Sequence, residues 1–155
     1  MLDQRFMTHL PALFSALLNS EGPVLEIGAG FGSTPMLKAF CDATDRKFLS
    51  FESNPHWALA MKQHGTFFSD DYRALEQISG PLWPAFGVVF VDHAPEQDRI
   101  RTANLFRGKA RFVVIHDWSS ADTSAHGSLE GWAQIKVDER FFPSTIILSM
   151  GDIPF

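Results

Sequence analysis

Apolar residues along this chain follow two patterns, one with helical spacing and one of short continuous runs. The first helical pattern extends from Phe6 to Leu18 and predicts an amphipathic helix over residues 3–19, which Pro11 bends or restarts. Two of the short runs, residues 24–27 and 88–92, have no polar face, which predicts strands that are covered on both sides. In chain order, the predicted strands are residues 24–27, 47–51, 67–68, 88–92, 111–115, 132–141 and 144–150.

Further helical patterns separate these strands. The predicted helices are residues 33–40, capped by Ser33 or Thr34, residues 54–63, a helix carrying Tyr72, Leu75 and Ile78, and residues 95–107. Strands that alternate with helices are typical of an α/β protein with a doubly wound, mostly parallel sheet, here seven-stranded. The last two strands flank Pro143 and predict an antiparallel hairpin. Residues 119–131 lack a strong helical pattern and are expected to form a loop or short helix. The C-terminal part, after the fifth strand, is therefore shortened by the lack of a long helix before the hairpin.

Composition narrows the class of protein and of partner. With 155 residues, 45% hydrophobic and 20% charged, the chain is predicted to form one globular domain. A net charge of −5 without a basic run disfavours nucleic acid as a partner. The single cysteine, Cys41, and the lack of an apolar stretch of about 18 residues predict a cytoplasmic protein without membrane contact. Oligomerisation is left open.

A glycine loop follows the first predicted strand and precedes a helix. Its spacing is Glu26-x-Gly28-x-Gly30-x-Gly32, with Ser33 where the dinucleotide fingerprint requires its third glycine. Glycines let the backbone turn tightly and approach a ligand, while the helix N-terminus presents unpaired N–H groups. A glycine-rich turn without a ligand is the alternative. The motif resembles that of the class I S-adenosylmethionine-dependent methyltransferases, and this resemblance implies that the acid and the three glycines hold the methionine end of the cofactor.

Acids at the ends of the next two strands extend this hypothesis. Glu52 follows the second strand, where an acid can accept hydrogen bonds from both ribose hydroxyls, as in methyltransferases and in NAD enzymes. A solvated strand-end charge is the alternative. Asp70 follows the third strand, and the resemblance implies that it contacts the adenine edge, although capping of the next helix explains it equally well.

Acids and histidines also follow the fourth and fifth strands. The segment that includes Asp92 and His93 resembles catechol O-methyltransferase-like enzymes, which implies a divalent metal on Asp92, with Asp117 as the second acid. Pro95 occupies the place of the lysine that serves those enzymes as a general base, so a metal is allowed but not favoured. Without a metal, Asp92, His93 and His116 are the candidate catalytic residues. Asp92 is also a candidate contact of the cofactor near its methyl group.

The sequence thus predicts a Rossmann-like methyltransferase domain over residues 1–155, with an N-terminal helix (1–20), a cofactor-binding core (22–118) and a C-terminal loop and hairpin (119–155). The expected activity is S-adenosylmethionine-dependent transfer of a methyl group to a hydroxyl or amine of a small-molecule or macromolecular acceptor. One alternative is a non-catalytic binding or scaffold protein of the same fold. An NAD-dependent oxidoreductase is a third hypothesis, disfavoured by Ser33.

Overall fold

A computed structural model of the protein describes residues 7–70, 85–118 and 127–155. Within these residues, the strands form a seven-stranded sheet in the order β3-β2-β1-β4-β5-β7-β6. The strands are β1 (Val24–Ile27), β2 (Phe48–Glu52), β3 (Thr66–Phe68), β4 (Phe86–Val91), β5 (Ala110–Trp118), β6 (Gln134–Asp138) and β7 (Ser144–Ser149). The helices are α1 (Leu10–Leu18), α2 (Ser33–Ala43), α3 (Pro55–Met61) and α4 (Arg99–Leu105).

The sheet is parallel except for one strand. β1 pairs in parallel with both β2 and β4, and β7 is antiparallel to its neighbours β5 and β6. Chain order therefore reverses between β1 and β4, which is where an open α/β sheet leaves a crevice for a ligand. The predicted doubly wound, mostly parallel sheet with an antiparallel end hairpin is confirmed.

The N-terminal helix starts later than predicted. Residues 7–9 form turns, and α1 begins at Leu10 with Pro11 in its first turn, where a missing N–H breaks no helical hydrogen bond. The prediction of capping by Ser33 or Thr34 was wrong. Gly32 is the N-cap of α2, and both hydroxyls donate to a buried carboxylate instead.

Two strand boundaries differ from prediction in ways that matter for the site. β5 continues to Trp118, because Trp118 pairs with Ser144 of β7 after an irregularity in register. His116 and Asp117 therefore belong to a strand and do not follow it. β6 is shorter than the predicted residues 132–141, since its pairing with β7 extends only over Gln134–Asp138.

The two faces of the sheet have separate cores. One core packs against α1 and α2 and includes Phe90 and Phe112, and the other, nearer α4, includes Val89 and Val113. Because side chains alternate along a strand, Asp92, two residues after Phe90, is aimed at the α1 side. His116 lies on the same side, where its ring meets that of His9, just before α1.

Several predictions fall on residues outside the described part of the chain. These are the helix with Tyr72, Leu75 and Ile78 and most of the loop predicted over residues 119–131, of which residues 127–131 are described and irregular. In the described ranges, the helices are too short or too polar to cross a membrane.

Candidate functional site

Glu26 lies beneath the glycine loop and is fully buried. Its carboxylate accepts hydrogen bonds from the hydroxyls of Ser33, Thr34 and Ser50, at 2.6, 2.8 and 2.6 Å. Burial raises the pKa of Glu26 to about 7, against the opposing effect of the three hydrogen bonds. The hydroxyl of Thr34 also accepts a hydrogen bond from the Gly30 N–H at 2.9 Å. Glu26 thus holds the glycine loop against the start of α2.

The glycines of the loop have different surroundings. Gly28 has φ +95°, and a Cβ placed on it would lie 2.4 Å from the carbonyl carbon of Asp92. Gly28 is therefore required by backbone packing between β1 and β4. At Gly30, the nearest described heavy atom to such a Cβ is the Ser33 hydroxyl, 3.6 Å away. This is an ordinary van der Waals distance, so among the described residues no atom approaches Gly30 closely enough to exclude a side chain there.

Glu52 joins the glycine loop to the end of β2. One carboxylate oxygen accepts a hydrogen bond from the Ala29 N–H at 2.8 Å, and the other accepts one from the Asn54 N–H at 2.7 Å. The residue is 8% exposed, so part of it reaches the surface at the crevice. Each carboxylate oxygen has a second lone pair for a ligand hydroxyl.

Asp70 lies at the same edge of the sheet. The preceding residue, Ser69, donates its N–H to the Glu52 carbonyl at 2.9 Å, so the end of β3 is fixed beside the end of β2. Asp70 itself is exposed.

Arg99, in the first turn of α4, connects the ends of β4 and β5. Its guanidinium lies 3.1 Å from an oxygen of Asp92 and 3.4 Å from one of Asp117. It also donates hydrogen bonds to the backbone carbonyls of His93 and His116, both at 2.8 Å. The side chain is only 8% exposed, whereas the two acids are 22% and 31% exposed. A buried cation therefore lies between the two acids for which the sequence predicted a metal.

His93 is placed away from these acids. Its ring is 2.8 Å from the hydroxyl of Thr102 on α4 and 3.3 Å from the Ala94 carbonyl, and the residue is 2% exposed. Burial lowers the pKa of His93 to about 4. The predicted catalytic His93 is therefore packed against α4, whereas Asp92 and His116 lie together on the α1 side.

His116 contacts both acids and the N-terminal segment. Its Nδ1 lies 3.2 Å from an Asp92 oxygen, and its Nε2 lies 3.3 Å from an Asp117 oxygen and 3.0 Å from the Thr8 hydroxyl. The ring of His9 is against it, with centroids 4.4 Å apart. Burial lowers the pKa of His9 to about 3.

Sequence analysis missed Thr8, His9 and Arg99. The two N-terminal residues fell inside a predicted helix, and Arg99 appeared as one of many charges on a helix surface. The one signal in the sequence was that two polar residues, Thr8 and His9, directly precede the Leu10-Pro11 start of α1. Such a position allows side chains that contact the site and do not belong to the helix.

At the level of sequence, no protein-family model matches the chain, and no curated protein gives a significant match. Among solved structures, the chain is similar to the crystal structure of human methyltransferase-like protein 13 in complex with SAH. Their TM-score is 0.64 at 15% sequence identity, and the match covers 95% of this chain and 84% of the human chain. At this level of sequence identity, the similarity shows only that the two chains share a fold. The chain has the Rossmann-like fold of the class I S-adenosylmethionine-dependent methyltransferases, as its sequence predicted.

Proposed function

We propose that this protein is an S-adenosylmethionine-dependent methyltransferase that acts on a hydroxyl or amine group. The observation that carries the proposal is the hydrogen bond from Ala29 to Glu52, which holds the glycine loop beside a carboxylate at neighbouring strand ends. This edge lies next to the reversal of strand order, where α/β sheets bind their ligands. The bound SAH in the structurally similar human protein supports the same choice of cofactor.

The residues at this edge fit the cofactor. The lack of a Cβ at Gly30 suits close approach of the methionine portion, with Gly28 and Gly32 shaping the loop. Glu52 retains a free lone pair on each oxygen for the two ribose hydroxyls. Asp70 is exposed one residue beyond the anchored end of β3, a suitable place for a contact to adenine. Because Glu26 is buried and accepts three hydrogen bonds, we assign it to supporting the loop from beneath.

When bound, the cofactor supplies a methyl group that its sulfonium has already activated. The protein then has to hold the acceptor in line and exclude water. Asp92 is the partly exposed acid at the end of β4, so it can orient the acceptor. Without a metal at this position, His116, whose Nδ1 lies 3.2 Å from an Asp92 oxygen, is the group that can take a proton through it. The position of His93 against α4 favours a structural role.

A metal shared by Asp92 and Asp117, the arrangement that the partial resemblance implied, is not favoured. Arg99 contacts both carboxylates and provides the positive charge that a cation would bring. Carboxylates paired with a guanidinium retain less attraction for a hard cation such as Mg²⁺. We therefore propose that these two acids act without a shared metal.

Calorimetry with S-adenosylhomocysteine and with NAD tests the proposed function. We expect the wild type to bind S-adenosylhomocysteine and not NAD, and binding of NAD alone would favour an oxidoreductase. Transfer of a labelled methyl group should then be screened against phenols, alcohols and amines. Failure to bind either ligand would contradict the proposal.

A non-catalytic binding protein is the second candidate. It is favoured by the burial of His93 and His116, which are 2% and 3% exposed, and by Pro95 in place of the family's lysine. Such a protein would bind S-adenosylhomocysteine as tightly as an enzyme would. It would show no methyl transfer to any acceptor class, and Asp92→Asn would leave its ligand affinity unchanged.

A further inference from the structure

His9 is a buried polar residue for which the described part of the chain offers no hydrogen-bond partner. Within residues 7–70, 85–118 and 127–155, neither ring nitrogen of His9 has a partner, although the residue is 2% exposed. The ring lies between those of Phe90 and His116, with centroid distances of 4.8 and 4.4 Å. A buried polar group left unpaired is unfavourable by about 1–3 kcal/mol, so its presence requires an explanation.

Two further donors lie beside this imidazole. His9, Asp92 and His116 each offer one ligand atom, and these atoms all lie within 4.8 Å of one another. His116 Nδ1 has no hydrogen-bond partner among the described residues, although an Asp92 oxygen is 3.2 Å away. Donors around a tetrahedral zinc ion are about 3.4 Å apart, so this pair is already at ligand spacing. The largest separation, up to 4.8 Å, would have to close by up to about 1.4 Å for the His9 ring to complete the set.

We propose that His9, Asp92 and His116 bind a divalent first-row transition metal that joins the N-terminal segment to the ends of β4 and β5. Two imidazoles and one carboxylate are a donor set for Zn²⁺, Co²⁺ or Fe²⁺ and a poor one for Mg²⁺ or Ca²⁺. This site is distinct from the Asp92 and Asp117 pair, because two of its three donors are nitrogens.

The surroundings of His116 support this assignment. With Nδ1 aimed at the proposed ion, Nε2 is 3.3 Å from an Asp117 oxygen and 3.0 Å from the Thr8 hydroxyl. A ligating histidine commonly donates its other N–H to a carboxylate, which fixes the ring and its tautomer. Asp117 would thus hold the ring of His116 in the orientation in which its Nδ1 can bind the metal.

The local charge also suits a dication. Asp92 and Asp117 carry two negative charges, and Arg99 compensates for one of them. Asp92, Asp117 and Arg99 together therefore retain one net negative charge before a metal binds.

Titration of the EDTA-treated, tag-free full-length protein with Co²⁺ and Zn²⁺ tests the proposal. Co²⁺ should produce visible absorption bands of a nitrogen- and oxygen-ligated ion, and calorimetry should give one Zn²⁺ per chain. His9→Phe keeps a ring at this position and should weaken Zn²⁺ binding by at least roughly 100-fold. His56→Phe makes the same change at an exposed residue and should leave Zn²⁺ affinity unchanged.

The readouts distinguish this site from the alternatives. Loss of Zn²⁺ binding in Asp117→Asn with full retention in His9→Phe would place the ion on the Asp92 and Asp117 pair and overturn the proposal. Absence of Co²⁺ bands in the wild type would also overturn it, as would equal affinity of His9→Phe and wild type. The proposal does not rest on the methyltransferase assignment, since S-adenosylhomocysteine binding is measured separately on the same samples.

Discussion

The carboxylate of Glu52 accepts a hydrogen bond from the backbone N–H of Ala29, and this 2.8 Å contact connects the end of β2 to the glycine loop after β1. The same side chain also accepts from Asn54, so it serves two backbone groups before any ligand arrives. Removal of Glu52 should therefore disturb both the shape of the loop and the contact to a ribose.

Glu52→Ala should weaken binding of S-adenosylhomocysteine by about 2 kcal/mol, the loss expected for a charged acceptor of two hydroxyls. It should also lower the free energy of unfolding, because the Ala29 and Asn54 amides lose their acceptor. Calorimetry below the unfolding temperature measures the first effect, and urea unfolding measures the second. Glu139→Ala, an exposed acid between β6 and β7, is the control for both. An unchanged affinity in Glu52→Ala would remove this residue from the ribose site.

Two glycines of the loop should respond differently to a side chain. Gly30→Val should fold with little loss of stability, because a Cβ there meets only an ordinary contact with Ser33, and should lose binding of S-adenosylhomocysteine, because its side chain would occupy the place proposed for the cofactor. Gly28→Ala should instead lower the free energy of unfolding by about 3 kcal/mol, since its Cβ meets the Asp92 backbone at a positive φ. Thermal unfolding and calorimetry on both variants test the contrast. Normal ligand binding by a folded Gly30→Val protein would refute the loop assignment.

The sequence was informative where local pattern and topology decide the structure. Short apolar runs separated by helical patterns identified the seven strands that the sheet contains, and the glycine spacing identified the loop after β1. The rules for parallel sheets then predicted that the strand ends carrying Glu52 and Asp92 lie at the same edge of the sheet. These features depend on residues that are close in sequence or on general chain geometry.

The contacts between distant segments were not predictable in this way. Arg99 reaches the carbonyl of His116 17 residues away, and Thr8 contacts the ring of His116 across 108 residues. The hydrophobic periodicity of the sequence does not predict such pairings, because they depend on how α4 and the N-terminal segment pack on the sheet. For the same reason, the sequence could not show that Ser33 and Thr34 donate to Glu26 and do not cap α2.

Glu26 should make stability depend on pH in an unusual direction. Its pKa is raised by burial from 4.5 to about 7, so between these values the folded protein binds a proton that the unfolded chain has released. The contribution of Glu26 to the free energy of unfolding should therefore fall by up to about 1.4 kcal/mol per unit as pH rises through this window. Because the lowered pKa values of His9 and His93 act in the opposite sense below about pH 6.5, the quantity to measure is the difference between the wild type and Glu26→Gln. Glu26→Gln should lack this fall. Urea unfolding at several pH values between about 4.5 and 8 provides the measurement.

The exposed acid Glu21, five residues earlier, is the control for this experiment. Glu21→Gln should retain the full pH dependence of the wild type. A difference in free energy of unfolding between the wild type and Glu26→Gln that stays constant from about pH 4.5 to 7 would show that the three hydroxyls keep Glu26 ionised.

Of the two arginines of α4, Arg99 should contribute more to the free energy of unfolding. Arg99→Leu leaves two carboxylates without their cation and two carbonyls without a donor, at a position where the side chain is 8% exposed. We expect a loss of about 3 kcal/mol in the free energy of unfolding, at the lower end of the range for a broken buried pair because Asp92 and Asp117 are partly exposed. Arg101→Leu, at an exposed position of the same helix, should change the free energy of unfolding by less than about 0.5 kcal/mol.

Arg99→Lys keeps the charge but not the planar fork, so its free energy of unfolding should lie between those of these two variants. Urea unfolding of the three variants ranks them, and equal stability of Arg99→Leu and Arg101→Leu would show that the ion pairs at the ends of β4 and β5 contribute nothing to folding.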